Sequence, residues 1–314
     1  MLIVVEGPDG AGKSTFVERL AGAVYDQYMA EAKIVHCGPP NGSVFKQYED
    51  DVLGSEYTIC DRLHIGELVY GPLLRGSDQL GTAGHRHVDM FLAARGAIVI
   101  HLDHDVDELE RRVKERGDLL IDHTQLEFIA QQYRAIMRMP TPLPRLTVMD
   151  PGLDMAHIVV AAAVEQRMRA SFLKSFPGYI GPVQPDVLLL GDRRGSNPNN
   201  HVAPFVPYGN TSGRFLLEAL PPHLASRVGI VNACELTEPE IALLHTYLGM
   251  PQVVAMGRNA YEETHRALSY LNLKIGRVPH PSYAMRFYRN EKEMYGLLID
   301  EVAKTGEDRH AWPQ

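Results

Sequence analysis

Cysteine is scarce in this chain, and long apolar runs are missing from it. The three cysteines, Cys37, Cys60 and Cys234, have no paired spacing, so they indicate neither a disulfide framework nor a zinc site. The longest purely aliphatic stretch, residues 158–164, is far too short to span a membrane. The apolar residues 2–5 are too few for the core of a signal peptide. We therefore expect a cytoplasmic protein without a membrane partner.

The net charge of the chain is −8, and an acidic balance argues mildly against a nucleic-acid partner. The charge is unevenly distributed, however. Residues 1–170 contain 17 Lys and Arg against 25 Asp and Glu, whereas residues 184–300 contain 11 of each. This distribution leaves room for a local basic patch in the second half.

The most specific motif lies near the start of the chain. Residues 7–15 read Gly-Pro-Asp-Gly-Ala-Gly-Lys-Ser-Thr, which is the phosphate-binding loop G-x-x-x-x-G-K-[ST]. Lys13 supplies charge to the transferring phosphate, Ser14 supplies a hydroxyl to Mg²⁺, and Thr15 opens a helix whose N-terminus favours anions. The sequence therefore predicts a site for ATP and Mg²⁺. Its ATP-binding residues are Gly7, Asp9, Gly10, Ala11, Gly12, Lys13, Ser14 and Thr15.

Strand and helix patterns alternate over residues 1–170, which predicts an α/β domain with a parallel sheet and helices on both faces. Strands are predicted at residues 2–5, 32–35, 57–60, 98–102 and 146–148. Helices are predicted at residues 14–28, 65–74, 85–94, 106–116, 126–137 and 154–171.

Residues 171–183 are rich in Pro and Gly and are expected to form a linker. A second α/β domain is predicted at residues 184–300, followed by a tail at residues 301–314. Its strands are predicted at residues 187–190, 228–231, 252–256 and 274–278, and its helices at residues 214–220, 239–248 and 260–271.

Two charged segments follow the phosphate loop. Residues 58–62 read Thr-Ile-Cys-Asp-Arg and predict a strand that ends in a carboxylate and a guanidinium. Residues 105–118 predict a charged helix that carries Arg112 and Arg116 on one face. Together with the loop, these segments resemble the thymidylate kinase family of P-loop kinases.

The resemblance implies roles for these side chains. Asp9 would contact the sugar of the acceptor, Asp61 the metal or the attacking hydroxyl, and Arg62 a phosphate. The structural alternatives are a turn aspartate, an ion pair at a strand end and a solvated charged helix.

Residues 63–66 depart from the family, and residues 67–76 resemble its relatives more, which leaves thymidine monophosphate in doubt as the acceptor. The expected catalytic residues are Lys13, Asp61, Arg62, Arg112 and Arg116, the metal ligands Ser14 and Asp61, and the substrate-binding residues Asp9, Arg62, Glu67, Tyr70 and Arg75.

The second half carries a different set of motifs. They lie at residues 188–195, 203–206, 212–216, 231–234, 254–260 and 278–283. Their order and spacing resemble the uracil-DNA glycosylase superfamily. The resemblance implies that Asp192 lies near a sugar, Phe205 stacks on a flipped base and His280 faces a developing negative charge. Arg193 and Arg194 depart from that family, so base excision does not follow. The alternatives are a strand-end cap, a core phenylalanine and a loop histidine.

Base recognition is energetically reasonable for such a domain. Extracting a base from the stack costs a few kcal/mol, and stacking on an aromatic ring returns about 1–3 kcal/mol. Flanking phosphates would be held by Arg193, Arg194, Arg214, Arg258 and Arg286.

A kinase joined to a pyrimidine-reading module suggests a pyrimidine acceptor inside DNA. Thymine has no hydroxyl, whereas 5-hydroxymethyluracil has one. We therefore expect ATP-dependent phosphorylation of 5-hydroxymethyl-deoxyuridine in phage DNA, a step of thymine hypermodification in the host cytoplasm. Free nucleoside monophosphates are an alternative acceptor that Asp9 favours, because the 3′-oxygen is esterified in DNA. A base-excising glycosylase with a regulatory nucleotide-binding domain and a DNA-binding module with a nucleotide switch also remain open, as does the oligomeric state.

Overall fold

Parallel strands form two separate sheets in the described part of the chain. The computed structural model describes residues 1–38, 44–116, 123–149, 151–192, 203–207 and 211–306. These residues divide into two compact units. The first comprises Met1–Gly81, Arg95–Met139 and Leu143–Arg169, and the second comprises Thr82–Ala94, Pro140–Pro142 and the described part of Ala170–Gln314.

The first unit contains a five-stranded parallel sheet with the strand order β2-β3-β1-β4-β5. All five predicted strands are confirmed. Open parallel sheets bind ligands beyond the carboxyl ends of their strands, so this edge is where a site is expected. The strands are β1 (Leu2–Glu6), β2 (Lys33–His36), β3 (Thr58–Asp61), β4 (Ala97–Leu102) and β5 (Arg145–Val148).

Seven helices accompany these strands in the described residues. They are α1 (Lys13–Tyr28), α2 (Val44–Leu53), α3 (His64–Arg75), α4 (Gly81–Ala93), α5 (Val106–Arg116), α6 (His123–Met137) and α7 (Leu153–Arg169). From Thr82 onward α4 belongs to the second unit, although its residues lie within the predicted first domain.

Helices cover both faces of the first sheet. Ile3 and Val5 point to one face, where they share an apolar core with α1 and α7. Side chains alternate along a strand, so Glu6 points to the other face, where its carboxylate accepts a hydrogen bond from Tyr133 of α6. The predicted α/β class is confirmed.

Helix α2 was not predicted from the sequence. Val44, Phe45, Tyr48 and Val52 recur at helical spacing and are all buried. That spacing is the signal that could have identified the helix, but the preceding Pro-Pro-Asn-Gly run favours a loop.

The second unit contains a four-stranded parallel sheet with the order β7-β6-β8-β9. All four predicted strands are confirmed, at β6 (Val187–Gly191), β7 (Val228–Asn232), β8 (Gln252–Met256) and β9 (Ile275–Val278). Besides α4, its helices are α8 (Ser212–Ala219), α9 (Pro222–Ala225), α10 (Glu238–Tyr247), α11 (Arg258–Leu268), α12 (Pro281–Phe287) and α13 (Lys292–Thr305).

Two segments at the edges of the second unit differ from the sequence prediction. Within residues 171–183, Ser171–Ser175 forms a short 3₁₀ helix, and Leu173, Phe176 and Tyr179 are buried in the unit's apolar core. Residues 301–305, assigned to the tail, continue α13. The first segment buries apolar side chains that lie among helix-breaking residues, and the second buries Val302. Among the described residues, no helix has the length and apolarity needed to cross a membrane.

Helix α13 packs against α8 so closely at Gly296 that no side chain fits there. A methyl group on Gly296 would overlap the carbonyl oxygen of Ala219. We expect Gly296→Ala to lower the free energy of unfolding by about 1–3 kcal/mol through overpacking. Urea titration of the full chain measures this. Gly22→Ala on α1 is the control, because its methyl group meets no described atom within 4 Å and should stabilise the helix by about 0.5–1 kcal/mol. Equal stability of the two variants would contradict the packing.

Candidate active site

The phosphate loop connects the end of β1 to the start of α1. Gly10 and Gly12 have φ angles of 83° and 81°, which side chains with a Cβ rarely adopt. A Cβ on Gly10 would also lie 2.9 Å from the carbonyl oxygen of Leu109 on α5. The loop conformation therefore depends on glycine at these positions. Ser14 and Thr15 lie in the first turn of α1, as predicted from the motif.

Lys13 is almost completely buried beneath this loop. Its Nζ donates hydrogen bonds to the carbonyl oxygens of Gly7 at 3.0 Å and Pro8 at 2.8 Å. Burial, with a smaller contribution from the positive charge of Arg62, lowers the pKa of Lys13 to about 8. The ammonium group is thus held at the loop, and it remains charged at neutral pH.

Ser14 and Asp61 meet at the carboxyl ends of β1 and β3. Ser14 Oγ donates to Asp61 Oδ2 at 3.0 Å, and His36 Nδ1 lies 3.3 Å from the same oxygen. A hydroxyl and a carboxylate are hard oxygen ligands that suit Mg²⁺. No cluster of three or more His, Cys, Asp or Glu that could hold a metal occurs in the described residues.

Arg62 follows β3 in a left-handed backbone conformation, with a φ of 67°. Its guanidinium forms an ion pair with Asp9 and lies 4.6 Å from the ring centroid of Tyr70. Tyr70 Oη donates to Asp9 Oδ2 at 3.1 Å and accepts from the Asp9 backbone N–H at 3.2 Å. The three side chains form a connected polar group beside the phosphate loop.

A cavity of about 200 Å³ opens beside this group in the first unit. Asp9, Arg62, Glu67, Tyr70 and Arg75 all line it, so the structure brings together every residue predicted to bind the acceptor. Glu67 and Arg75 form an ion pair, and Glu67 also accepts from the backbone N–H of Gln79 at 3.0 Å. The cavity lining that sequence reasoning missed is Cys37, Gly38, Tyr48, Leu63, Gly66 and Leu74.

Glu6 is the main residue of the site that sequence reasoning missed. Its side chain has no solvent exposure. Its Oε1 accepts hydrogen bonds from the backbone N–H groups of Leu63 at 2.9 Å, Ile65 at 3.2 Å and Gly66 at 3.4 Å. Glu6 therefore fixes the backbone that directly follows Arg62. The available signal was an acidic residue that ends a wholly apolar strand.

Only one of the two arginines that were expected to be catalytic on α5 reaches the phosphate loop. Arg112 Nη1 lies 3.4 Å from the Gly10 carbonyl oxygen and 3.3 Å from His104 Nε2. Arg112 Nε also donates to Glu108 at 2.6 Å. Arg116 is exposed in the last turn of α5 and has no partner among the described residues.

His104 joins the phosphate loop to the β4–α5 connection, a role that the sequence did not indicate. Its Nε2 lies 3.2 Å from the carbonyl oxygen of Ala11. Burial, followed by the charge of Arg112, lowers the pKa of His104. Arg134 donates to both carboxylate oxygens of Asp103 and to the His104 carbonyl oxygen, which fixes this connection.

In the second unit, Asp192 follows the carboxyl end of β6. Asn259 Nδ2 donates to one of its carboxylate oxygens at 2.8 Å, and Cys234 Sγ donates to the other at 3.1 Å. Asn259 and Cys234 themselves follow β8 and β7. The carboxylate is thus held at the same edge of the sheet by residues from two neighbouring strands.

Phe205 and His280 lie together, with ring centroids 6.3 Å apart. Phe205 has a φ of 52°, and a Cβ on Gly191 would lie 2.7 Å from its ring. His280 Nδ1 lies 2.7 Å from Ser282 Oγ, while its Nε2 is buried and unpaired within the described residues. Burial lowers the pKa of His280, and the negative charge of Asp192 opposes that shift.

The predicted phosphate-binding arginines of the second half differ in their surroundings. Arg193 and Arg194 lie outside the described residues. Arg214 pairs with Glu218, and Arg258 pairs with Glu262 on the exposed face of α11.

Comparison with known proteins finds matches at low identity. No protein-family model matches the chain. The SPbeta prophage-derived uncharacterized protein YorR of Bacillus subtilis (strain 168) is 25% identical over 136 residues, which are 43% of this chain and 81% of YorR. The crystal structure of YorR in complex with phosphorylated GDP is 22% identical with a TM-score of 0.45, covering 54% of this chain and 98% of YorR.

Two kinases of known structure also match. Deoxyadenosine kinase from M. mycoides with bound dATP is 20% identical with a TM-score of 0.33, covering 52% of this chain and 99% of the kinase. Polyphosphate kinase 2 from Arthrobacter aurescens TC1 is 16% identical with a TM-score of 0.40, covering 56% of this chain and 68% of that one. Each of these two matches therefore extends over about half of this chain.

The lowered pKa of Lys13 predicts a pH dependence of ATP binding. The group loses its charge as the pH rises through about 8, and a triphosphate binds the charged form. We expect the ATP affinity to be constant well below pH 8 and to fall towards tenfold per pH unit above it. Calorimetric titration over that range measures this. Lys13→Arg keeps its charge and should flatten the profile, and a flat profile in the unsubstituted protein would contradict the assignment.

Removing the Glu6 carboxylate should destabilise the first unit. Glu6→Ala leaves the N–H groups of Leu63, Ile65 and Gly66 buried without an acceptor. We expect a loss of about 3 kcal/mol or more in the free energy of unfolding, because each unsatisfied buried donor costs about 1–3 kcal/mol. Glu18→Ala on the exposed side of α1 should change it by less than about 0.5 kcal/mol. Similar unfolding midpoints in urea for both variants would refute this role of Glu6.

Proposed function

We propose that the first unit transfers the γ-phosphoryl group of ATP to a hydroxyl of a pyrimidine nucleotide. One observation carries this proposal. Lys13 is held at the phosphate loop, Ser14 of the loop contacts Asp61, and Asp9 of the same loop lines the cavity together with Arg62. The donor and acceptor sites therefore adjoin, as a direct transfer requires.

The chain needs no nucleophilic side chain for this reaction. Phosphoryl transfer depends on alignment and charge neutralisation, which Lys13, Arg62 and Arg112 supply around the transferring group. Mg²⁺ would be held by Ser14 and Asp61 with the nucleotide phosphates and would neutralise charge on the phosphate oxygens. An arginine at the transition state contributes about 10³–10⁵ in rate in related reactions, which makes Arg112 the critical residue of α5.

The acceptor that we propose is the 5-hydroxymethyl group of 5-hydroxymethyl-deoxyuridine within DNA. It is a pyrimidine that bears a primary hydroxyl, and phosphorylation converts that hydroxyl into a leaving group. The cavity beside Arg62 has space for one base-sized group rather than a base pair. In the second unit, the strained backbone of Phe205 and the buried nitrogen of His280 support a base-recognition role of the glycosylase type.

Phosphorylation of free nucleoside monophosphates is the second candidate. The observation that favours it is the Asp9 carboxylate in the cavity, because it suits a free sugar hydroxyl that DNA lacks at the 3′ position. The excess of acidic residues in the first half also disfavours a long polyanion there.

A label-transfer experiment separates these functions. The protein is incubated with γ-labelled ATP and Mg²⁺, with either DNA that contains 5-hydroxymethyluracil or free pyrimidine monophosphates. Label in DNA supports the first proposal, and label only in diphosphates replaces it with the second. An abasic site without label in either product would indicate base excision instead.

Lys13→Met tests the phosphate loop itself. Loss of the buried ammonium group should lower kcat by about 10²–10³ or more, because its charge stabilises the transferring phosphate in the transition state. The control is Lys46→Met, which removes an exposed lysine from α2 of the same unit and should leave kcat unchanged. Undiminished turnover in the Lys13 variant would rule out transfer at this loop.

A further inference from the structure

The second unit contains a cavity of about 490 Å³ whose lining is strongly basic. It lies where α8, α12 and the start of α13 meet. Four cations, Arg214, Arg286, Arg289 and Lys292, accompany the carboxylate of Glu218. A concave surface with this excess of positive charge attracts anions.

Glu218 neutralises only part of this charge. It accepts hydrogen bonds from Arg214 Nε at 2.7 Å and from Lys292 Nζ. Burial alone would raise the pKa of Glu218, but these hydrogen bonds outweigh burial and lower it. Arg286 and Arg289 have no carboxylate partner in the part of the chain that the structure describes, so two guanidinium groups are available to an external anion.

Exposed aromatic rings lie on the same short helix as Arg286. Tyr283 and Phe287 are four residues apart on α12, and their ring centroids are 5.0 Å apart. Their side chains are 43% and 58% exposed. Guanidinium groups beside exposed aromatic faces are the combination by which proteins hold single nucleic-acid strands, through phosphate contacts and base stacking.

We propose that this cavity binds the phosphodiester backbone of a single DNA strand through Arg286 and Arg289, with bases stacked on Tyr283 and Phe287. The guanidinium fork suits a phosphodiester because it can donate two parallel hydrogen bonds. This inference rests on the proposed function in one respect, namely that the second unit holds the DNA. Free nucleotides share the phosphate chemistry, so the test must separate a strand from a mononucleotide.

The experiment measures binding of a fluorescently labelled single-stranded oligonucleotide to the full chain by anisotropy, without ATP, over a series of salt concentrations. We expect Arg286→Ala/Arg289→Ala to weaken binding about tenfold or more. The slope of log affinity against log salt should become shallower by about 1.4, since each phosphate contact to a single strand contributes about 0.7. The matched control is Arg266→Ala/Lys304→Ala, which removes the same charge from ion pairs with Glu263 and Asp300 in the same unit.

Each other outcome overturns the proposal. Unchanged binding by Arg286→Ala/Arg289→Ala, an equal loss in the control, or no binding by the unsubstituted protein would each do so. Displacement of the oligonucleotide by a mononucleotide at equal phosphate concentration would assign the cavity to free nucleotides instead. Label transfer to a free monophosphate should be unaffected in Arg286→Ala/Arg289→Ala, so failure of this inference is distinguishable from failure of the kinase reaction.

Discussion

A carboxylate without access to water fixes the geometry of the first unit. Glu6 ends the central strand. One of its carboxylate oxygens accepts hydrogen bonds from three backbone N–H groups that follow β3. Burying a charge is costly unless donors surround it, so this arrangement tolerates few alternative backbone paths. Arg62 directly precedes these hydrogen-bonded amides and has a left-handed backbone conformation. In this position its guanidinium contacts Asp9 and Tyr70.

Lys13 is a buried group of the opposite charge in the same unit. Its ammonium group is buried, and the carbonyl oxygens of the loop accept its hydrogen bonds. Asp9 and Asp61 raise its pKa, but burial and Arg62 have the greater effect. The group is therefore less stable as a cation than an exposed lysine, and a triphosphate would interact with it more strongly than with one in water.

The sequence predicted those parts of the structure that depend on local patterns. The nine strands named above were recognisable because each is a short segment that contains at least two apolar residues. The phosphate loop was recognisable because its glycines and lysine have fixed spacing. The segment around Asp61 indicated the end of β3, which pairs with β1, and the phosphate loop follows β1. Asp9 of the loop and Arg62 therefore lie close together and line one cavity.

Features that depend on tertiary packing were not predictable in the same way. Glu6, His104 and Arg134 act through backbone groups distant in sequence, which no spacing rule identifies. Arg112 and Arg116 share a helix face, yet only the former reaches the loop, because Arg116 lies one helical turn farther along α5. The Pro- and Gly-rich stretch after residue 170 resembled a linker, but burial of its aromatic side chains overrides the local preference.

The path of the chain between the two units limits how the protein can be divided. Thr82–Ala94 and Pro140–Pro142 belong to the second unit, although the first unit's strands surround them in sequence. Ala94 contributes to the second apolar core, and Met90 accepts a backbone hydrogen bond from Gly181. A cut near residue 170 would leave a helix of one fragment without its apolar neighbours and a core of the other incomplete. Recombining the second unit with another kinase-like domain would therefore require moving this internal helix with it.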